Sequence, residues 1–261
     1  MNILVCVKQV PDNAVVPTLD PATNRVVTQG VETMVSPFDL NGVEAGLKLA
    51  EEHGGEVTVL SLGDDSCKTS LRIALSMGAA KAYLVSDPAL EDSDSFAVSY
   101  TLAKAIQHIG QFDVILCGKQ AIDDDAGQVG AGIAEQLGIS QVSYVNEIVE
   151  VGDGVMAVKR VTPTGEEVVQ AQLPVLLTCE KSLNEPRYPT LKRTRQANRM
   201  EIPVLDCAAI GADVSKVGKN SPSAILKLYA PAPRQSGELI KGDAEEIGKT
   251  AVEKLVEQKI V

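Results

Sequence analysis

The chain has 261 residues, of which 44% are apolar, so it can bury the core of one large or two small domains. Its net charge of −11 argues against nucleic acid as the main partner, and it contains no apolar run long enough for a transmembrane segment. Five scattered cysteines without a C-x-x-C spacing are typical of a reducing compartment, so we expect a cytoplasmic protein with buried thiols and no metal site.

The first half of the chain alternates predicted strands with predicted helices. The apolar opening at residues 2–7 has no basic region before it, so we interpret it as a first strand and not as a signal peptide. Further strands are predicted at 56–62, 81–86 and 113–117. Helices are predicted from 39 to 53, from Asp65 or Ser66 to Gly78, from Asp92 or Ser93 to about 109, and from about Gly127 to Gly138. Strict alternation of this kind predicts an α/β fold with a doubly wound, mostly parallel sheet.

The pattern changes after Ser140. Three short segments of alternating residues, 143–150, 155–162 and 167–172, are separated by turn residues and predict a β-hairpin addition at the edge of the sheet. The apolar run 174–179 then returns to the core. From these boundaries we place the α/β domain at residues 1–202.

The remaining part, residues 203–261, is predicted to be an extended C-terminal arm that ends in a helix. Residues 203–242 are rich in Pro, Gly and Ser and show little periodicity. A helix is predicted from Asp243 onward. Its apolar stripe comprises Ile247, Ala251, Val252 and Leu255. Such a helix cannot bury this stripe alone, so we expect it to pack on the body of the chain or on another subunit.

A basic cluster interrupts this acidic sequence. No acidic residue occurs between Glu185 and Glu201. The basic residues in this region are Arg187, Lys192, Arg193, Arg195 and Arg199. One interpretation is the solvated face of a helix, and the other is a docking surface for an acidic partner. The stretch 183–191 contains two prolines and is predicted to be an extended loop.

A loop rich in glycine and aspartate, CGKQAIDDDAGQVG at 117–130, joins a predicted strand to a predicted helix. Glycine lets a ligand approach the main chain, and a helix N-terminus favours an anion. Neither a Walker pattern nor G-x-G-x-x-G is present, so an anion site and an ordinary capped turn both remain open. The run Asp123–Asp125 suggests magnesium, but three consecutive side chains cannot all face one ion in regular structure. A capping role is therefore favoured for at least one of them.

Side chains for acid–base chemistry are scarce. The two histidines, His53 and His108, lie near predicted helix C-termini, where a cation is favourable and a surface position is expected. The sequence contains no nucleophile elbow and no H-E-x-x-H motif. We therefore interpret the chain as a carrier and not as an enzyme.

Several motifs resemble those of the β subunit of electron transfer flavoprotein. They are CGKQAIDDDAGQVG at 117–130, LNEPRYPTL at 183–191, VKQVPD at 7–12, SPFD at 36–39 and ALSMGA at 74–79. The similarity extends over nearly the whole chain, with the motifs in the correct order. It implies an α/β domain of the adenine-nucleotide-binding type and a heterodimer with an α subunit. It also implies one FAD held with that subunit and electron transfer between acyl-CoA dehydrogenase-type flavoenzymes and an acceptor.

The resemblance implies which residues of this chain meet a nucleotide. They follow strands of the predicted sheet or lie in the long loop before its fourth helix. They are Cys6, Ser36, Pro37, Phe38, Asp39, Leu62, Gly118, Lys119, Gln120, Ala121, Ile122, Asp123, Asp124, Asp125, Ala126, Gly127, Gln128 and Val129. LNEPRYPTL resembles the family's recognition loop, with Leu191 as the apolar anchor on a partner dehydrogenase. Tyr188, Arg193 and Arg195 are the further residues expected at that surface.

The resemblance leaves the nucleotide of this subunit open between AMP, as in simple members, and a second FAD, as in electron-bifurcating members. VKQVPD, Leu19-Asp20-Pro21 and Gln128-Val129-Gly130 favour FAD. Asp124 and Ala131, which stand where bifurcating members have glycine and proline, count against it. A bifurcating member would also have NADH as a partner, in flavin-based electron bifurcation.

Two other classes share the fold. A stand-alone adenine-nucleotide-binding regulatory module would lack the loop and arm at 183–261. An enzyme of the ATP-pyrophosphatase type would need a loop rich in Ser and Gly after the first strand, and Lys8–Asp12 is not such a loop.

Overall fold

The computed structural model describes residues 1–20, 22–23, 25–27, 30–230, 232 and 237–261. By its internal contacts the chain divides into two units. The larger comprises Met1–Pro17 and Val26–Leu226, and the smaller comprises Thr18–Arg25 and Lys227–Val261. Pro21 of the Leu19–Pro21 motif lies outside the described residues, as do five residues of the predicted arm.

The larger unit contains eleven strands and five helices within its described residues. The strands are β1 (Asn2–Cys6), β2 (Gln9–Pro11), β3 (Thr33–Val35), β4 (Glu56–Leu62), β5 (Lys81–Val85), β6 (Val114–Gly118), β7 (Ser140–Gly152), β8 (Val155–Thr162), β9 (Gly165–Gln172), β10 (Val175–Cys179) and β11 (Val204–Leu205). The helices are α1 (Pro37–His53), α2 (Lys68–Met77), α3 (Ser95–Ile109), α4 (Val129–Leu137) and α5 (Leu191–Ala197).

One sheet organises this unit, with the strand order β11-β5-β4-β1-β6-β10-β7-β8-β9. The strands from β11 to β7 pair in parallel, whereas β8 and β9 add an antiparallel hairpin at one edge. β2 and β3 form a separate antiparallel pair. The predicted α/β class, the doubly wound parallel sheet and the hairpin addition are confirmed.

The strands are apolar on both faces because helices cover both. Along β1, Ile3 and Val5 belong to the apolar layer beneath α1 and α2, and Leu4 and Cys6 belong to the layer beneath α3 and α4. Alternate side chains of a strand point to opposite faces, so one continuous apolar run contributes to two cores.

Three helix starts differ from the predictions. Asp64, and not Asp65 or Ser66, caps the 3₁₀ turn that leads into α2. Asp94, and not Asp92 or Ser93, caps α3, because Asp94 has the extended backbone of a cap whereas Asp92 has a φ of +66°. α4 begins at Val129, because Gly127 has a left-handed φ of +60° and cannot belong to the helix.

The segment that follows α5 belongs to the larger unit. β11 pairs in parallel with β5, and apolar side chains in β11 and after it are buried in the core. They are Leu205, Cys207, Ile210 and Val217. By contacts, the larger unit thus ends at Leu226 and not at residue 202.

The smaller unit contains α6 (Ala244–Glu257), the helix predicted at the end of the arm. The carboxylate of Asp243 caps it by accepting hydrogen bonds from the amides of Glu245 and Glu246. Lys254 pairs with Glu238 within the same unit. The apolar side chains of α6 are not buried: Val252 and Val256 are more than half exposed.

In the part of the chain that the structure describes, no helix combines the length and apolar character that crossing a bilayer requires. The same residues contain no grouping of His, Cys, Asp or Glu that could hold a metal ion.

Candidate functional site

The connections of the sheet change face between two adjacent strands. The chain leaves β1 for α1 on one face, and it leaves the neighbouring β6 for α4 on the opposite face. In open α/β sheets, ligands bind in the crevice outside the carboxyl ends of strands at such a switch point. The fold therefore places a candidate site beyond Cys6 and Gly118.

A cavity of about 320 Å³ lies at this position. The ends of β1, β4 and β6, the start of α3 and the loop before α4 form its walls. The lining residues are Cys6, Val7, Lys8, Asp39, Leu60, Ser61, Leu62, Ser93, Asp94, Ser95, Val98, Leu102, Cys117, Gly118, Lys119, Gln120, Ala121, Asp124, Ala126, Gly127, Gln128, Val129 and Gly130. Its size is at the lower end of the range for small-molecule and cofactor pockets.

Most residues that the sequence assigned to a nucleotide site lie together in this wall. They are Cys6, Asp39, Leu62, Gly118, Lys119, Gln120, Ala121, Asp124, Ala126, Gly127, Gln128 and Val129. The others are not among the lining residues: Ser36, Pro37, Phe38, Ile122, Asp123 and Asp125. The aromatic ring of Phe38 instead lies under the ammonium group of Lys119, whose Nζ is 5.2 Å from the ring centroid.

The sequence reasoning missed Lys8 and the start of α3 as parts of this wall. α3 follows β5, so Ser93, the cap Asp94 and the first helical residue Ser95 reach the same edge of the sheet as the ends of β1 and β6. The predicted parallel topology could have indicated the residues at the start of α3, because every helix that follows a strand in such a sheet begins at this edge.

Asp39 connects the ends of the two central strands. Its Oδ2 accepts a hydrogen bond of 2.7 Å from the amide of Lys8, and its Oδ1 accepts one of 2.9 Å from the amide of Gly118. A Cβ at Gly118 would lie 2.4 Å from Asp39 Oδ1, so only glycine permits this approach. The Asp39 carboxyl therefore holds the two strand ends in fixed positions at the mouth of the crevice.

Burial raises the pKa of Asp39 to about 7, against the lowering effect of the two amide hydrogen bonds. Between pH 3.8 and about 7, the folded protein therefore keeps a proton that the unfolded chain has lost. The contribution of Asp39 to the free energy of unfolding must fall as the pH rises through this window, by on the order of 4 kcal/mol.

We expect the substitution Asp39→Asn to remove this dependence, because asparagine does not titrate. Urea unfolding of both proteins at several pH values between 4 and 8 measures the effect. The wild type should lose stability relative to the variant as the pH rises to about 7, with no further change above it. Parallel stability curves for the two proteins would show that Asp39 does not keep its proton in the folded state.

Lys8 joins the first loop to the loop before α4. Its Nζ lies 2.8 Å from Asp123 Oδ2 and 3.2 Å from Asp124 Oδ2. Burial opposes its charge, but the hydrogen bonds and charges of these two carboxylates raise the pKa of Lys8 above its ordinary value. Asp124 also accepts a hydrogen bond from the amide of Ala126, which is the backbone-ordering role expected for one member of the aspartate run.

The N-terminus of α4 faces the cavity without a side-chain cap among the described residues. Its first amides are therefore available to an anion, in the direction that the helix dipole favours. Gln128 is held nearby by a hydrogen bond from the hydroxyl of Ser95. Gly130 serves the packing of the helix, since a Cβ there would lie 2.9 Å from Thr178 Cγ2. A substitution at Gly130 would thus move α4 on the sheet and would not test ligand binding alone.

A second candidate surface lies around the loop 183–191. Leu191 and Tyr188 are 81% and 91% exposed, although both are large and apolar. Arg193 donates to the carbonyl of Met77 at the end of α2, whereas Arg195 is exposed and has no ion pair with a described residue. The guanidinium of Arg195 is therefore free for a partner, and that of Arg193 is engaged within the chain.

Comparison with known proteins accounts for this combination of motifs. The sequence model of the family described as "Electron transfer flavoprotein domain" matches residues 23–209. The chain belongs to the electron transfer flavoprotein family. The match includes most of the cavity wall and the whole loop 183–191.

Relatives from this family match over the full chain. The electron transfer flavoprotein subunit beta of Megasphaera elsdenii is 46% identical, with 100% of both chains covered. The caffeyl-CoA reductase-Etf complex subunit CarD of Acetobacterium woodii is 39% identical, again with 100% of both covered. Protein FixA of Azorhizobium caulinodans is 40% identical over 90% of this chain and 86% of its own. The similarity to the β subunit of electron transfer flavoprotein is thus confirmed.

Proposed function

We propose that this chain is the β subunit of a cytoplasmic, heterodimeric electron transfer flavoprotein. It carries electrons between flavin dehydrogenases of the acyl-CoA dehydrogenase type and a redox acceptor, with one FAD held with the α subunit. The cavity at the switch point binds an adenine nucleotide, and we favour a second FAD over AMP. The observation that carries the proposal is the uncapped N-terminus of α4 at a cavity walled by family motifs.

The wall offers suitable partners for each part of an adenine nucleotide. The amides at the start of α4 suit a phosphate. Gln128 has a side-chain amide that suits ribose hydroxyls or groups near the phosphate. Lys8 lies beside Asp124, where its charge offsets the two loop carboxylates that a phosphate would otherwise meet. A bound FAD would supply electron exchange, while this chain binds and orients it.

The names of the relatives support the choice of partner. One of them is named as a subunit of a caffeyl-CoA reductase-Etf complex. The motifs VKQVPD and Gln128-Val129-Gly130 favour the bifurcating kind, in which NADH is a further partner.

The proposal is tested by counting the nucleotides in the purified heterodimer. The chain is co-expressed with its α subunit, the complex is denatured, and the released FAD and AMP are separated and quantified. We expect two FAD per heterodimer. One FAD and one AMP would reject the second flavin but keep the site, and one FAD alone would reject the nucleotide site in this chain.

The substitution Asp124→Gly tests the contribution of the loop carboxylate. If FAD is the native ligand, the variant should retain it within about twofold of the wild-type affinity, because the carboxylate is more than half exposed and Asp123 keeps its contact with Lys8. FAD content after gel filtration is the measurement. The control is Asp125→Asn, which removes the charge of a neighbouring carboxylate that does not line the cavity and keeps the size of its side chain. Loss of FAD from Asp124→Gly alone would show that Asp124 is a direct ligand contact.

A further inference from the structure

The segment from Lys181 to Ala197 is attached to the helices beneath it at several points. The side-chain Nδ2 of Asn41 donates to the main-chain carbonyls of Lys181 and Asn184, and Nδ2 of Asn184 donates in return to the main-chain carbonyl of Asn41. At the far end, Arg72 of α2 donates to the carbonyl of Ala197. Arg193 of α5 donates in the opposite direction, to the carbonyl of Met77 at the end of α2.

Glu44 makes the central attachment. Its side chain is only 4% exposed, and its carboxylate faces Arg187. Oε2 accepts from the Arg187 amide at 3.1 Å and from Nε at 2.8 Å, and Oε1 accepts from Nη2 at 3.1 Å. A bidentate contact with a guanidinium is both strong and directional. Because the carboxylate also binds the main-chain amide, it restrains the backbone of Arg187 and not only its side chain.

The exposed apolar residues begin at the next position in the chain. Tyr188 follows Arg187 directly, and Leu191 starts α5 after Pro189 and the capping residue Thr190. An exposed apolar side chain on a mobile loop would lose conformational entropy on binding, whereas one on a restrained loop is preorganised. The contacts on both sides of the pair therefore matter for its affinity as much as the pair itself does.

We propose that Glu44 is a positioning residue for docking: it holds the backbone at Arg187 so that Tyr188 and Leu191 face solvent in the arrangement that a partner binds. The proposal rests on the proposed function, electron transfer with a dehydrogenase, for which the family resemblance implies Leu191 as the docking anchor. Glu44 itself, being buried beneath the loop, does not touch the partner. It acts only through the position of the loop.

The test uses Glu44→Gln in the co-expressed heterodimer with an acyl-CoA dehydrogenase from the same organism. Glutamine preserves the volume but replaces one acceptor oxygen with an amide that repels the guanidinium. We expect KM for the heterodimer to rise about tenfold with kcat unchanged. Glu52→Gln, on the exposed side of the same helix, makes the same charge change and should leave KM unchanged.

A double-mutant comparison separates positioning from general stability. If Glu44 acts by placing Leu191, then Glu44→Gln should change KM by less than twofold in a Leu191→Ala background. Hydrogen exchange of the amides at 186–191 should increase in Glu44→Gln. An equal KM increase in both backgrounds, or no increase in the first, would overturn the positioning role.

If Glu44→Gln does not fold, the variant Glu44→Asp replaces it. This variant keeps the charge with a shorter reach, and it should raise KM by a smaller factor in the wild-type background only.

Two further outcomes keep the inference separate from the proposed function. If Leu191→Ala alone leaves KM unchanged, the docking function itself is wrong. If Leu191→Ala raises KM and neither Glu44 variant does, only the positioning role is wrong.

Discussion

A chain that ends at Leu226 is expected to fold and to keep its nucleotide cavity, but to lose co-purification with the α subunit. The larger unit ends at this residue, and every residue of the cavity wall lies before it. The removed part contains α6, whose apolar side chains are largely exposed, and further exposed apolar residues such as Tyr229 and Leu239. Such surface is typical of a segment that binds another protein.

The position of the cut decides what this experiment tests. A cut after Pro203 would remove β11 and the buried Leu205, Ile210 and Val217. Each buried side chain of this size contributes roughly 1.5–3 kcal/mol, so the shorter chain should lose stability for reasons unrelated to assembly. Thermal unfolding of the 1–226 chain provides the control. An unchanged yield of heterodimer from a folded 1–226 chain would exclude the arm as the main assembly element.

The substitution Leu191→Ala is expected to raise KM of the heterodimer for its dehydrogenase by about ten- to a hundredfold. Burial of a leucine in a partner pocket is worth roughly 1.5–3 kcal/mol, and about 1.4 kcal/mol corresponds to a factor of ten. Because Leu191 is exposed within this chain, the same change should leave thermal stability and nucleotide content as they are. Steady-state electron transfer at varied heterodimer concentration measures the effect.

A matched variant controls for the general loss of apolar surface. Val168 on the edge strand β9 is also exposed, and Val168→Ala should not alter KM. An equal effect of both substitutions would show that the dehydrogenase does not recognise Leu191 specifically. A large fall in melting temperature for Leu191→Ala would place its role in folding instead of docking.

Local sequence signals predicted the parallel sheet well, because the fold class depends on them. The apolar runs of β1, β4 and β6 have no polar face, which is how strands covered on both sides differ from solvent-exposed ones. The glycines after strands and the alternation with helices then restrict the topology to a few arrangements. The loop 117–130 was also recognisable from the local sequence, since its glycines and aspartates occur in one continuous stretch.

Helix caps were less predictable. Asp92, Ser93 and Asp94 all have side chains that can cap α3, and only their backbone conformations distinguish them. Those conformations depend on how the chain enters the helix from β5 and on hydrogen bonds such as that from Ser223 to Asp94. A local pattern contains neither kind of information.

The α/β class, the family motifs, the loop that walls the cavity and the candidate anchor Leu191 could all be predicted from the sequence, because each is encoded in a contiguous stretch. Two other features become visible only in the folded chain: Asp39 joins Lys8 to Gly118, and Lys8 pairs with Asp123, 115 residues away. The same is true of the hydrogen bonds by which Glu44 binds Arg187 across 143 residues. These contacts depend on strand order and helix placement, which bring together side chains whose separation in the sequence has no local signature.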